Sequence, residues 1–402
     1  MPSGSRPAQT TLADPPAADR PIGVASATTY LPELEGLRGV AMLLVLIFHT
    51  DTLLRLLRPA GAAEWVSPAA ALVRNGGDLG VDLFFVLSGF LLTLPFVRAA
   101  SAPKTPSIRR YLERRGLRIL PLYYLAVVVA TLYHTTQPAD LLRGVPYLAF
   151  MNAVPGLTDP LLPFSGVWWS LATEAEFYIV LAIAVSLCRT AAGRMLAIAG
   201  LVAWTAGYAA WLSGGFRLAT SGQWTLGFSL FGRAPFFLAG WAVALLFVRY
   251  GRVGRRQRSL AADLGVVCVA AALAFVAQWV VSFGSMTQTA PWHGYHVLEA
   301  ALCAGLLWFL VATPTHFQRL LTSWPPVKLG VLSYSMYVWH PAVMGFVLLT
   351  ASRAGLSLSG WTWGTVLTVA GAWIGCIAVS ALTYRAVERP FLRRKELLQP
   401  AS

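Results

Sequence analysis

This sequence is poor in charge. Only 12% of its 402 residues are Asp, Glu, Lys or Arg, while 56% are hydrophobic. A soluble domain carries about 25% charge, so a water-facing surface around one core is excluded. Acids are the scarcer sign, 17 against 31 bases, which leaves a net charge of +14. Cysteine is scarce as well. Cys188, Cys268, Cys303 and Cys376 lie far apart in or beside apolar runs, with no CxxC and no Cys/His spacing that would hold a metal, so no metal is expected. A Walker-type Gly-rich phosphate loop is missing, which excludes a nucleotide triphosphatase of that kind. Residues 1–30 contain no apolar core after Arg6, so no cleaved signal peptide is expected. There is no repeat of fixed period and no soluble second domain.

Long apolar runs are what the sequence has in quantity. Crossing a hydrocarbon layer of roughly 30 Å takes about 20 helical residues. Ten such runs can be read, at 35–57, 80–98, 117–134, 167–188, 194–212, 227–249, 261–283, 295–312, 330–350 and 362–386. The fold class is therefore all-α, a polytopic integral protein of the cell membrane with about ten transmembrane helices. Residues 1–30, rich in Pro, Ala, Ser and Thr, read as a disordered tail. Residues 31–392 form one membrane domain, and 393–402 a short C-terminal tail. The longest stretch outside the runs, 135–166, reads as a lid or a re-entrant segment.

The cations are sided. With alternating crossings, 23 of the 31 Lys and Arg fall on one side and six on the other. The positive-inside rule then places both termini in the cytoplasm. The basic balance records topology, and no nucleic-acid partner is expected.

Polar groups inside apolar runs cost free energy and need a reason. In LEGLRGVAMLLVLIFHT, Arg38 and His49 are eleven residues apart. At 100° per residue this is about 20° past three full turns, so both share one face, about 16 Å apart along the axis. Each also has a plain structural reading, as a snorkelling anchor and as a helix-bracing imidazole. In GVWWSLATEAEFY, Trp169, Glu174 and Glu176 open the fourth run. Depth counting sets Glu174 level with His49, where a carboxylate would fix the imidazole tautomer. In LGVLSYSMYVWHPAV, Ser333, Tyr337 and His340 form one helical stripe. The missing N–H of Pro341 leaves the Tyr337 carbonyl without its usual partner. Arg233 also lies inside a run, with Glu174 or Glu299 as expected partners. Before the third run, Arg114, Arg115 and Arg118 form a basic loop, with Arg114 and Arg118 on one face. It reads as a lipid-contacting loop or as a polyphosphate site, because guanidinium grips phosphate bidentately.

These stretches resemble the membrane acyltransferase family 3, the O-antigen acetylase-like integral membrane acyltransferases. The family signature of Arg, ten residues and His matches Arg38 and His49. GVDLFFVLSGFLL at 80–92, RILP at 118–121, WSLATEAEFY at 169–178, RAPFFLAG at 233–240, SYSMYVWHP and ERPF at 388–391 follow in family order. One departure stands out: the family's Glu-Glu-Gln is Glu174-Ala175-Glu176 here.

The resemblance implies an enzyme that moves an acyl group, acetyl or another short one, from acyl-CoA to a hydroxyl. It implies CoA phosphates at Arg38, Arg114, Arg115 and Arg118, with His49 as base and Glu174 supporting it. Arg233, Tyr337, His340, Ser333, Trp169 and Glu176 are the candidates for the oxyanion and the acceptor. Ser88 in LSGF is the best nucleophile should the acyl group pass through the protein. The acceptor is either a macrolide-like glycosylated natural product or an envelope carbohydrate. The end of the chain soon after the tenth run leads to the expectation that no esterase-like domain is fused, and the compact length favours the macrolide. Membrane lipids are the other partners, and the oligomeric state stays open. The rival readings are a transporter or flippase whose polar interior relays protons, and a sensor or assembly factor on the same scaffold.

Overall fold

The computed structural model describes residues 31–57, 77–100, 106–152, 154, 160–216, 218–251, 258–282, 290–356, 358 and 362–397. The expected tail at 1–30 and Arg252, Arg255 and Arg256 of the basic loop lie outside them. Ten helices are long and apolar enough to cross a membrane, and no strand occurs among the described residues. They are α1 Pro32–Leu56, α2 Gly77–Ala99, α3 Ile108–His134, α4 Trp169–Leu187 and α5 Ala191–Leu212. The second five are α6 Leu230–Tyr250, α7 Leu260–Ser282, α8 Ala290–Ala312, α9 Trp324–Arg353 and α10 Trp363–Thr383.

The surface and interior are sorted as lipid requires. Leu196, Val202, Leu264, Phe275, Leu367 and Ile374 are exposed on the outside of the helices. Asp82, Arg233, His296, Glu299, Ser333, Ser335, His340 and Glu388 are buried between them. With no water in the hydrocarbon, polar side chains lower their free energy only by finding one another.

At the centre α1 packs along α9, with α2 and α10 beside them, and α2 packs along α6. Both close pairs depend on glycine. A Cβ on Gly39 would overlap the Pro326 carbonyl, and one on Gly330 the Glu35 carbonyl. Gly89 and Gly240 do the same for α2 and α6, against Phe237 and Val86. Small residues let membrane helices approach to backbone distance, where dispersion supplies the association energy.

Two elements differ from the sequence reading. The basic stretch before the third run is helix, because α3 starts at Ile108. Ser107 caps it by accepting from Arg110 N–H, and Arg109 pairs with Glu113 at 2.8 Å one turn on. At the other end, α10 passes into a π-helical turn, Tyr384–Glu388, and a helix, Arg389–Leu397, so 393–397 are helical.

The segment between α3 and α4 folds back onto the bundle. It holds a 3-10 turn, Pro138–Gly144, a short helix, Val145–Leu148, and a second 3-10 turn, Ser165–Val167. Tyr123 donates to Tyr147 O at 2.9 Å, and Asn152 Nδ2 donates to Trp168 O at 2.8 Å. Leu161 and Trp168 are wholly buried, so α4 begins inside the protein.

Candidate active site

A cavity with about 760 Å³ of atom-free space, including its open mouth, lies between α1, α2, α3, α4 and α9. Arg38, Arg115, Arg118, Glu174, Tyr178 and Ser333 line one part of it, and Val81, Ser170 and Tyr337 the far end. Arg38 and Arg118 thus come together from helices far apart in sequence. Arg115 faces the cavity with Arg118, and Arg114 does not line it.

The arginines are compensated. Arg38 Nη2 donates to Ser333 Oγ at 3.4 Å, and Nη1 is 4.0 Å from Glu35. Arg118 feels Glu388, Glu35 and Glu174. Glu388, on the π-helical turn, is buried and accepts from Ser335 Oγ at 2.9 Å. Single π-turns recur at functional sites, and this one brings a carboxylate to the arginines. Neither Glu388 nor Ser335 was singled out from the sequence, although ERPF was the available signal.

Glu174 is held from α2. Its Oε1 accepts from Ser88 Oγ at 2.7 Å, and Tyr178 lines the same part of the cavity. Ser170 Oγ and Tyr337 Oη are 2.6 Å apart and tie α4 to α9. From that point Glu174 lies one turn, about 6 Å, toward Arg38, while His340 lies about 5 Å the other way. The two are therefore about 10 Å apart in depth. Depth counting starts α4 at the membrane surface, whereas Trp168 is already buried.

One neighbour of His49 is another histidine. Its ring meets His340 edge to face, with centroids 4.8 Å apart at 74°. His49 Nδ1 lies 2.9 Å from Val45 O, and His340 Nδ1 lies 3.1 Å from Met336 O and 3.0 Å from Tyr337 O. A carbonyl oxygen only accepts, so in each neutral ring Nδ1 carries the proton and Nε2 the lone pair. For His340 the cause lies in the next residue. Pro341 has no N–H, and the ring donates to the Tyr337 carbonyl in its place. This geometry removes His340 from the candidate oxyanion donors, since its one N–H is spent on its own helix.

Three further candidates lie outside the cavity lining. Arg233 is wholly buried and binds Asp82 at 3.0 Å, a partner that the sequence reading did not name. Trp169 lies over its guanidinium, 5.2 Å from CZ to the ring centroid. Glu176 Oε2 accepts from Leu230 N–H at 2.7 Å and so caps the start of α6. These residues form the wall that carries Ser170 and Glu174. Asp82 was missed from sequence, though a lone carboxylate in an apolar run was the signal. Its carboxylate also lies near His296 and Glu299, with ligand-type atoms within 4.8 Å of one another. Arg233 already neutralises Asp82, so the group is an ionic brace between α2, α6 and α8.

A family model described as an acyltransferase domain matches residues 31–384. The chain belongs to the membrane acyltransferase family 3. It is 23% identical over 387 residues to the peptidoglycan O-acetyltransferase OatA of Listeria monocytogenes, covering 90% of this chain and 56% of that protein. YrhL of Bacillus subtilis is 28% identical over 384 residues, covering 90% of this chain and 55% of YrhL. The O-acetyltransferase OatA of Staphylococcus aureus is 23% identical over 340 residues, covering 79% and 51%. The chain spans about half the length of these curated relatives. No solved structure matches it. Membership in this acyltransferase family and ten apolar helices make the chain a multi-pass membrane protein.

Proposed function

We propose that the chain is a membrane O-acyltransferase that moves a short acyl group, acetyl in the first instance, from acyl-CoA to a hydroxyl of a cell-envelope carbohydrate. One observation carries this reading. A single cavity has Arg38, Arg115 and Arg118 in one part and Tyr337 at its far end, with His340 and His49 one turn beyond. A donor with a phosphate-rich head and a long arm ending in a thioester suits such a track. The arginine side is the cytoplasmic one by the cation count, which is where acyl-CoA is found. Arg114 lies outside the lining, where it adds positive potential for the same head group.

The acceptor oxygen bonds to the acyl carbon as the C–S bond breaks. His49 Nε2 takes the hydroxyl proton and returns it to the departing thiolate, so protons balance. The Tyr337 and Ser170 hydroxyls lie nearest the far end; their protons are shared with each other and with the Val167 carbonyl, which one of them must release to meet the developing oxyanion. The relatives named for peptidoglycan support an envelope carbohydrate over the macrolide expected from chain length.

Reconstituted protein given acetyl-CoA and peptidoglycan glycan strands should release free thiol and acetylate the strands. His49→Ala should lose about 10²-fold or more of that rate, with an unchanged unfolding profile. Full turnover by a folded His49→Ala protein refutes the assignment of the base. Absence of thiol release by the wild-type protein refutes acyl transfer and leaves the transporter reading. A covalent route has one observation behind it, the 2.7 Å bond from Ser88 to Glu174, which could take the serine proton. An acetylated Ser88 peptide after incubation without acceptor would establish that route.

A further inference from the structure

We propose that the guanidiniums of the cavity bind a diphosphate, and that Glu388 and Glu35 are internal counter-ions that compete with it and hasten its release. This deepens the acyltransferase reading and rests on it for its catalytic meaning. Binding of a diphosphate depends on no reaction.

Arg115 and Arg118 line the cavity one turn apart on α3, about 4.5 Å along its axis. Arg115 Nε is buried without a hydrogen-bond partner among the described residues. Arg118 is balanced by the charges of Glu388 and Glu35, with no hydrogen bond to either among the described residues. Arg38 is held loosely, 3.4 Å from Ser333 Oγ and 4.0 Å from Glu35. A guanidinium carries a fork of N–H donors. The carboxylates therefore cancel charge and leave donors unspent. Phosphate oxygens fit such forks bidentately, and two linked phosphates can meet two forks set one turn apart.

The carboxylates keep this site from being a trap. Three guanidiniums, of Arg38, Arg115 and Arg118, stand among three carboxylates, of Glu35, Glu174 and Glu388. A diphosphate adds negative charge to a balanced set, and like charges repel strongly where water is scarce. Glu174 lines the cavity and accepts from Ser88. Glu388 is 2% exposed, lies behind the lining and is fixed by Ser335 at 2.9 Å. With no water to turn to, it repels the anion for as long as the anion is bound. Glu35 does so more weakly, because its side chain is 25% exposed and solvent screens it. In acyl transfer from CoA, donor and product carry the same head group. A site that grips that group too tightly also keeps the product, and release then limits turnover. Glu388 and Glu35 take back the guanidiniums as CoA leaves.

The test is calorimetric titration of the full chain in nanodiscs with inorganic diphosphate, and then with CoA. Glu388→Gln keeps an acceptor for Ser335 and loses the charge. It should tighten diphosphate binding about tenfold, the scale of one like charge removed from a partly screened site. Glu35→Gln should tighten it about threefold and covers the case in which Glu388→Gln does not fold. With acetyl-CoA and glycan strands, Glu388→Gln should lower the KM for acetyl-CoA, the inhibition constant of CoA and kcat together. A residue that only supported the fold would raise KM as it lowered kcat. Diphosphate affinity that is unchanged or weaker in these variants overturns the proposal. So does tighter binding with no fall in kcat. Wild-type protein that binds diphosphate but releases no thiol from acetyl-CoA refutes the acyltransferase reading alone. Wild-type protein that binds no diphosphate overturns this proposal and leaves the acyltransferase reading to be judged by thiol release.

Discussion

Arg233 and Asp82 have no exposed side-chain surface and sit 151 positions apart in sequence. Removing one member of such a pair leaves the other's charge in the bundle without this counter-charge. Arg233→Met and Asp82→Leu should each destabilise by about 3–5 kcal/mol, and the double variant by clearly less. Thermal unfolding in detergent, run on all three, checks the coupling. At this scale the sequence was readable where helical geometry alone decided, as with Arg38 and His49 on one face. It was unreadable where a partner came from a distant helix. Nothing local to Arg233 points to Asp82, and nothing local to His49 points to His340. Ser333 is the intermediate case, found on its stripe by spacing, with its bond to Arg38 visible only in the fold.

At the scale of elements, ten apolar runs became ten helices because length and hydrophobicity suffice for that. Their ends were less readable. Capping by Ser107 and the Arg109–Glu113 pair extend α3 through a stretch whose charge suggested a loop. The burial of Trp168 moves the start of α4 inward. Helix contact is where substitution should be least tolerated. A methyl on Gly330 meets the Glu35 backbone, which cannot swing aside as a side chain would. Gly330→Ala should therefore separate α1 from α9, costing about 1–3 kcal/mol as overpacking does and lowering thiol release with it. Gly294→Ala, where a Cβ meets nothing within 4 Å, is the matched control. Equal melting temperatures for the two would contradict this account of the α1–α9 contact.

For the whole molecule, the sidedness of the charge is an expectation from the sequence, and its local accounting is visible only in the fold. Arg38 and Arg118 share their surroundings with Glu35, Glu174 and Glu388. Arg115 lines the same cavity, and its Nε has no hydrogen-bond partner among the described residues. Arg115 is thus the guanidinium with most to gain from an incoming phosphate. Arg115→Ala should raise the KM for acetyl-CoA by about tenfold, the equivalent of one charge-assisted contact, with a smaller change in kcat. The salt dependence of kcat/KM should flatten, since that arginine contributes to the attraction of the anion. A KM that stays constant would move phosphate capture to other residues of the basic face.

Pro341 has a consequence for how far this protein can be stabilised. An alanine there would supply the missing N–H to the Tyr337 carbonyl and suit the helix better, by up to about 3 kcal/mol. The same change would take from His340 one of the two acceptors that orient its ring. Pro341→Ala should melt higher and turn over more slowly. Melting temperature and turnover moving in opposite directions would mark the proline as one the enzyme keeps for its chemistry, at the expense of its fold.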